Sequence, residues 1–411
     1  MAMTPRPLAI LNARLVDPES DRIAEGGILC VDRRIAAVGT FDIPADAETI
    51  DAKGAHVAPG IVDLGVFAVD PPACAAGGIT RIGLMPDQTP VLDDPALVAR
   101  AAAAGKPGIW VHPFAGATRG LAGEELGEIG LMQGMGAVAV ATGRQWIPSS
   151  GVMSRLLSYA SAFDLPVIVH AEDGGLTGDA VATSGETASR LGLSAAPAIA
   201  EAMAVARDIA LAEETGAHVH FRQLSTKAAF DLVRAAKARG APVTCGITPA
   251  HLLLSETAIG AFRTFARLSP PLRSEEDRIA TIEAVRDGTV DVIASGHDPL
   301  GPDAKRLPYA DATPGMSGAE TLLALALTLV RDHVISLPEL FARLALTPAR
   351  LLKLPAGRLK AGAEADLVLF DADAPWRIES DRLVGRAGNT PFDGLPVQGR
   401  VRATIKGGAR L

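Results

Sequence analysis

The side chains able to do acid–base or metal chemistry in this chain fall into three groupings. His170-Ala171-Glu172-Asp173 sets an imidazole beside two carboxylates, a grouping able to anchor one metal ion or to move a proton. The plainer reading, which we expect, is a histidine at a strand end hydrogen-bonded to its neighbours. His297-Asp298 is a second pairing, but adjacent residues on an extended strand point to opposite faces, so a shared role is not expected. His218 and His220 share one strand face and mimic a ligand pair; they precede the strand's tip and read as core residues. Glu213-Glu214 reads as a solvated helix face. The Gly77-Gly78 turn implies no phosphate site, because no Gly-Lys-Ser/Thr follows it. Cys30, Cys74 and Cys245 are odd in number and far apart, which suggests reduced thiols filling small gaps rather than a disulfide framework or a zinc knuckle.

The elements that must position these groups alternate. Eight short β-branched runs stand out: Ile61 to Val66, Ile79 to Leu84, Ile109 to Phe114, Ala137 to Ala141, Val167 to His170, Val219 to Leu224, Val243 to Ile247 and Val290 to Ser295. Between and after them lie Ala- and Leu-rich helical stretches, among them Pro95 to Ala104, Val152 to Phe163, Ile199 to Thr215, Lys227 to Arg239, Glu275 to Asp287 and Ala319 to Val330. Eight parallel strands with intervening helices close most naturally into a (β/α)8 barrel, whose reacting groups sit at the C-terminal strand ends. The first fifty-odd residues and the stretch from Gly357 read as strand and turn instead. We therefore expect an α/β protein with a barrel over 57–356 and a small discontinuous β-sandwich domain built from 1–56 and 357–411.

Composition narrows the function classes. In 411 residues, Lys plus Arg is 39 against 47 Asp plus Glu, a net charge of −8, with no run of like charge long enough to grip phosphates. Nucleic acid is not an expected partner. The longest apolar helical run, Thr321 to Val330, is far short of the roughly 18 to 20 residues that span a bilayer. The N-terminal residues lack the apolar stretch of a secretory signal, so a cytoplasmic protein without membrane association is expected.

The window Pro59-Gly60-Ile61-Val62-Asp63-Leu64-Gly65-Val66-Phe67 resembles the amidohydrolase superfamily and, within it, the dihydroorotases. The resemblance runs the length of the chain, through Gly77-Gly78-Ile79-Thr80, Met85-Pro86, His170-Ala171-Glu172-Asp173 and Leu224-Ser225-Thr226. It continues with Thr248-Pro249, His251-Leu252, Pro270-Pro271-Leu272-Arg273, Gly362 to Asp371 and Asn389-Thr390-Pro391-Phe392 with Gly394. The family's chemistry uses a pair of zinc-type ions to activate water and polarise a cyclic amide, which needs several His and carboxylate ligands at one point.

Carried over position by position, that ligand set is largely missing. The two strand-one histidines fall on Gly65 and Phe67, the bridging carboxylate after strand four on Thr142-Gly143, the sixth-strand histidine on Gln223 and the catalytic aspartate on Gly296. Only His170 is retained among them. The family's substrate-gripping arginine falls on Val69 and its asparagine on Asp87, where a carboxylate would repel an anionic substrate; Ala250 replaces a histidine beside the retained His251. The resemblance thus implies a vestigial pocket of Val69, Asp87, His170, Gln223, His251 and His297, without metal or catalytic residues. It is closest to inactive dihydroorotase homologues that assemble with aspartate transcarbamoylase in pyrimidine biosynthesis. The expectation is a structural subunit, itself a homodimer; the alternative is an active cyclic amidohydrolase with atypical metal ligation.

Overall fold

The computed structural model describes residues 6–411. Ten-residue strands β1 (Leu8–Asp17) and β2 (Arg22–Val31) pair antiparallel, and β3 (Arg34–Gly39) folds back on β2. Asp32 and Arg33, both at positive φ, make the two-residue turn whose twist suits a hairpin. Strands β4 (Glu48–Asp51) and β5 (His56–Pro59) follow. β1 carries β4 along its first half and β5 along its second, both parallel, so this end of the protein forms one continuous mixed sheet rather than two separately bonded layers.

Gly60 alone separates β5 from the barrel. The barrel strands are β6 (Ile61–Val66), β7 (Ile79–Leu84), β8 (Trp110–Gly116), β9 (Ala139–Ala141) and β10 (Val167–Val169). After a short parallel pair, β11 (Ala182–Thr183) and β12 (Ala195–Ala196), the barrel resumes with β13 (Val219–Phe221), β14 (Val243–Ile247) and β15 (Val292–Ile293). All eight runs expected from the sequence are strands, hydrogen-bonded in chain order and parallel. β15 and β6 share no ladder. The seam between them is closed by Phe67 N–H donating to the His297 carbonyl at 2.9 Å, and by Asp63 accepting from Ser295 N (2.8 Å) and Ser295 Oγ (2.5 Å).

Helices cover the barrel with their apolar faces inward, and their starts are chemically marked. Asp94, Ser149, Thr226 and Ser274 each accept a first-turn N–H, and Ser336 with Glu339 forms a reciprocal capping box. Among the described residues, no helix is long and apolar enough to cross a membrane. Cys30, Cys74 and Cys245 are buried free thiols; burial raises all three pKa values, that of Cys30 to about 12.

β16 (Leu367–Arg377), β17 (Pro396–Lys406) and β18 (Ala409–Arg410) complete the mixed sheet, with β16 antiparallel to β5. The boundary expected at residue 56 therefore falls inside β5, which belongs to the mixed sheet through Pro59. Arg81 on β7 ties the two units together, paired with Glu364 and with Asp366 at 2.6 Å, and Phe341 meets Phe370 with ring centroids 5.3 Å apart.

Candidate functional site

Geometry at the strand ends starts from Gly65. It has φ +87°, a conformation that side chains rarely adopt, and a Cβ built there would lie 2.9 Å from Arg222 Cδ. The missing side chain on β6 is thus the space through which Arg222, just past β13, reaches the axis of the mouth. Arg222 is only 4% exposed. Its guanidinium lies 5.0 Å from the Phe67 ring centroid, and Arg144 stacks over the same ring at 3.6 Å, so one aromatic ring faces two cations. Burial, then the charge of Arg144, lowers the Arg222 pKa to about 10, against the opposing pull of Asp87, Asp298 and Glu172. Arg222 remains a cation at neutral pH.

The residues of the sequence reading divide among three places. Gln223, His251, Gly296 and Phe67 line a deep chamber of about 30 Å3 together with Arg144, Arg222 and Asp298. His170 and Glu172 line an outer chamber of about 480 Å3 with Arg144, Trp146 and Arg267; the two chambers share Arg144, Leu268, Ser269 and Pro314 as walls. Val69 and His297 line neither. Val69 packs against the main apolar core. His297 is 1% exposed; its Nδ1 accepts from Gly318 and Ala319 N–H at 3.3 Å, and its Nε2 lies a long 3.4 Å from Asp70 Oδ2. Asp298 instead accepts from Arg144 Nη2 at 2.8 Å, so the two neighbours do face apart.

Each polar survivor has a structural employment. Thr142 Oγ1 accepts from His170 N–H at 3.1 Å, and His170 Nε2 lies 3.2 Å from Glu172. Glu172 accepts from Arg273 Nη2 at 2.7 Å. Burial alone would raise the Glu172 pKa, but the His170 hydrogen bond and the Arg273 charge hold it down at about 2. Arg273 also donates from Nε to Ser225 Oγ at 2.9 Å, while Ser225 and Thr226 both bond to the fully buried Glu201. His251 donates from Nε2 to the Pro270 carbonyl and accepts at Nδ1 from Thr248; burial, reinforced by the Arg273 charge, lowers its pKa to about 4 and keeps it neutral. His218 and His220 share the Thr244 hydroxyl, His220 as a buried core residue and His218 half-buried just ahead of β13.

Asp87 differs from the expectation placed on it. Rather than standing as a bare negative charge, it accepts from Arg144 N–H at 2.9 Å and lies 4.0 Å from that residue's Nε, so its repulsion is offset. Sequence reasoning missed Arg144, Arg222 and Arg267. The available signal was Arg222 itself, a charged residue at a strand end between Phe221 and Gln223.

A pair of divalent ions does not fit this mouth. A buried guanidinium and an aromatic ring meet where ligands would be needed, and among the described residues no three His, Cys, Asp or Glu side chains converge as a metal site. What the arrangement can do is hold negative charge against fixed cations.

The amidohydrolase family model matches residues 77–411. Over 98% of both chains, this protein is 40% identical to a dihydroorotase of Syntrophotalea carbinolica and to a dihydroorotase-like protein of Pseudomonas aeruginosa. Among solved structures, L-hydantoinase (dihydropyrimidinase) of Arthrobacter aurescens superposes with a TM-score of 0.87 at 25% identity, covering 98% of this chain and 95% of that one. With the barrel in place and this likeness running the length of the chain, the chain belongs to the dihydroorotase family of the amidohydrolases.

Proposed function

We propose that this protein is a non-catalytic member of its family, retained for its folded surface. The observation that carries the reading is the Arg222 side chain running past Gly65 to face Phe67: a fixed positive charge stands at the mouth, where hydrolysis would require two metal ions. No side chain is left to activate water by the family's route, because Gly296 stands at the position assigned to the general base and His170 and Glu172 are committed to each other and to Arg273. The resemblance to inactive homologues makes aspartate transcarbamoylase the proposed partner and pyrimidine biosynthesis the proposed setting, in the cytoplasm and with self-association of the chain.

The experiment pairs elemental analysis with a dihydroorotase assay on protein purified without chelator. The expected result is no stoichiometric zinc and no turnover in either direction. Two metals per chain together with turnover that disappears in His170→Ala overturns the proposal. Co-expression with the transcarbamoylase of the same organism tests the partner: one species surviving size-exclusion chromatography supports it, and separate elution with a fully active, assembled transcarbamoylase rejects it. The second reading, an active cyclic amidohydrolase, draws on the 40% identity to a protein named dihydroorotase, and the same assay decides it.

A further inference from the structure

The mouth carries two cations that have no carboxylate within ion-pair distance among the described residues. Arg222 is 4% exposed, donates from Nη1 only to the Gln223 amide oxygen at 3.2 Å, and has a buried Nε with no partner. Arg267 donates only to the adjacent Leu268 carbonyl, and its buried Nε is likewise unpartnered. Burial of a charge is costly unless it is paired, and a protein with net charge −8 has carboxylates to spare. The nearby ones are engaged elsewhere: Asp298 by Arg144 and Glu172 by His170 and Arg273.

The space beside these cations has the shape of a ligand site. The deep chamber faces Arg222 and Arg144, and its volume of about 30 Å3 is room for roughly two water-sized groups. The outer chamber of about 480 Å3 adds Arg267 and the Trp146 ring and has the size of a small-metabolite pocket. We propose that the barrel mouth is an anion-binding site that takes a compact oxyanion head, carboxylate or phosphate, against Arg222 and Arg144, with any attached body lying in the outer chamber beside Arg267. The cations are not the family's substrate-gripping position, which falls on Val69, outside both chambers. This inference rests on the reading of the mouth as metal-free, and it gives the lapsed site a sensing or stabilising use.

The test is calorimetric titration of the full chain, at constant ionic strength, with inorganic phosphate and separately with malonate, after metal content has been measured on the same sample. Saturable one-to-one binding of either probe is expected, and which of the two binds more tightly tells an inorganic from an organic source. Arg222→Gln should weaken that binding roughly tenfold or more, as loss of a charged hydrogen-bond donor does. Arg267→Gln, on the half-exposed wall and away from the packing around Arg222, is the second variant and should weaken the same probe. Unchanged affinity in both variants overturns the site. No saturable heat with either probe in folded, metal-free protein overturns this inference alone; stoichiometric metal at the mouth overturns the functional proposal with it.

Discussion

The two sides of the barrel mouth follow opposite electrostatic plans. Beyond β10 and β13, Glu172, Glu201, Arg273, Ser225 and Thr226 form a buried network in which positive charge meets negative charge. Across the axis, beside β6 and β15, Arg222 meets an amide, an aromatic face and the gap above Gly65. The first side is closed on itself, whereas the second leaves donors over. A buried network of the first kind resists removal of any member, because each loss strands a charge; a lone cation strands nothing when it goes.

The largest effect expected from that contrast is in Arg273→Met, which leaves Glu172 and Glu201 buried without their cation. It should cost roughly 3–5 kcal/mol in chemical denaturation. A loss below about 1 kcal/mol would mean that the network is not what holds this side.

Gly65→His should cost roughly 1–3 kcal/mol, because it forces a side chain into a left-handed backbone position and onto Arg222. Combined with Phe67→His it should still recruit no zinc, since the Arg222 charge remains. Stoichiometric metal in the double variant would show that the arginine yields to the ligands.

Acid titration sharpens the comparison. The folded protein holds Glu172 at about 2 against an ordinary 4.5. The stability this contributes is complete above about pH 4.5 and is lost as pH falls towards 2, because the unfolded chain takes up the proton first. Glu172→Gln should therefore flatten the acid limb of the stability curve in that window; an unchanged slope would take Glu172 out of the network. The smallest effect is expected for Arg222→Met, between no change and about 2 kcal/mol of stabilisation, read from the denaturation midpoint. A clear loss of stability would place Arg222 with the networked side.

The eight barrel strands and the six helical stretches named with them were legible in the sequence because each is a local pattern: short β-branched runs and Ala- and Leu-rich stretches. The reading of Gly65, Phe67, Gln223 and Gly296 as replaced positions rests on family motifs in order along the chain. The part played by Arg222 was not. Whether that side chain turns into the mouth depends on the absence of a Cβ at Gly65, on a different strand and more than 150 residues earlier. No periodicity within β13 carries this information. The same holds for Val69 and His297, which sit close in sequence to mouth residues but turn to the outer core and to Asp70.

The seam between β6 and β15 also has a temporal side. Asp63 reaches Ser295 across 232 positions, and β5 finds β16 only when residues 367–370 exist. A growing chain therefore carries an open barrel edge and, on the side of β5 away from β1, an unpaired strand edge through most of its synthesis, the kind of edge that invites pairing with another chain. Completion of the C-terminal strands covers β5 and brings the two ends of the protein into one sheet. Loss of even the last forty-odd residues would uncover the middle of the sheet, so the C-terminus acts as the fold's final fastener.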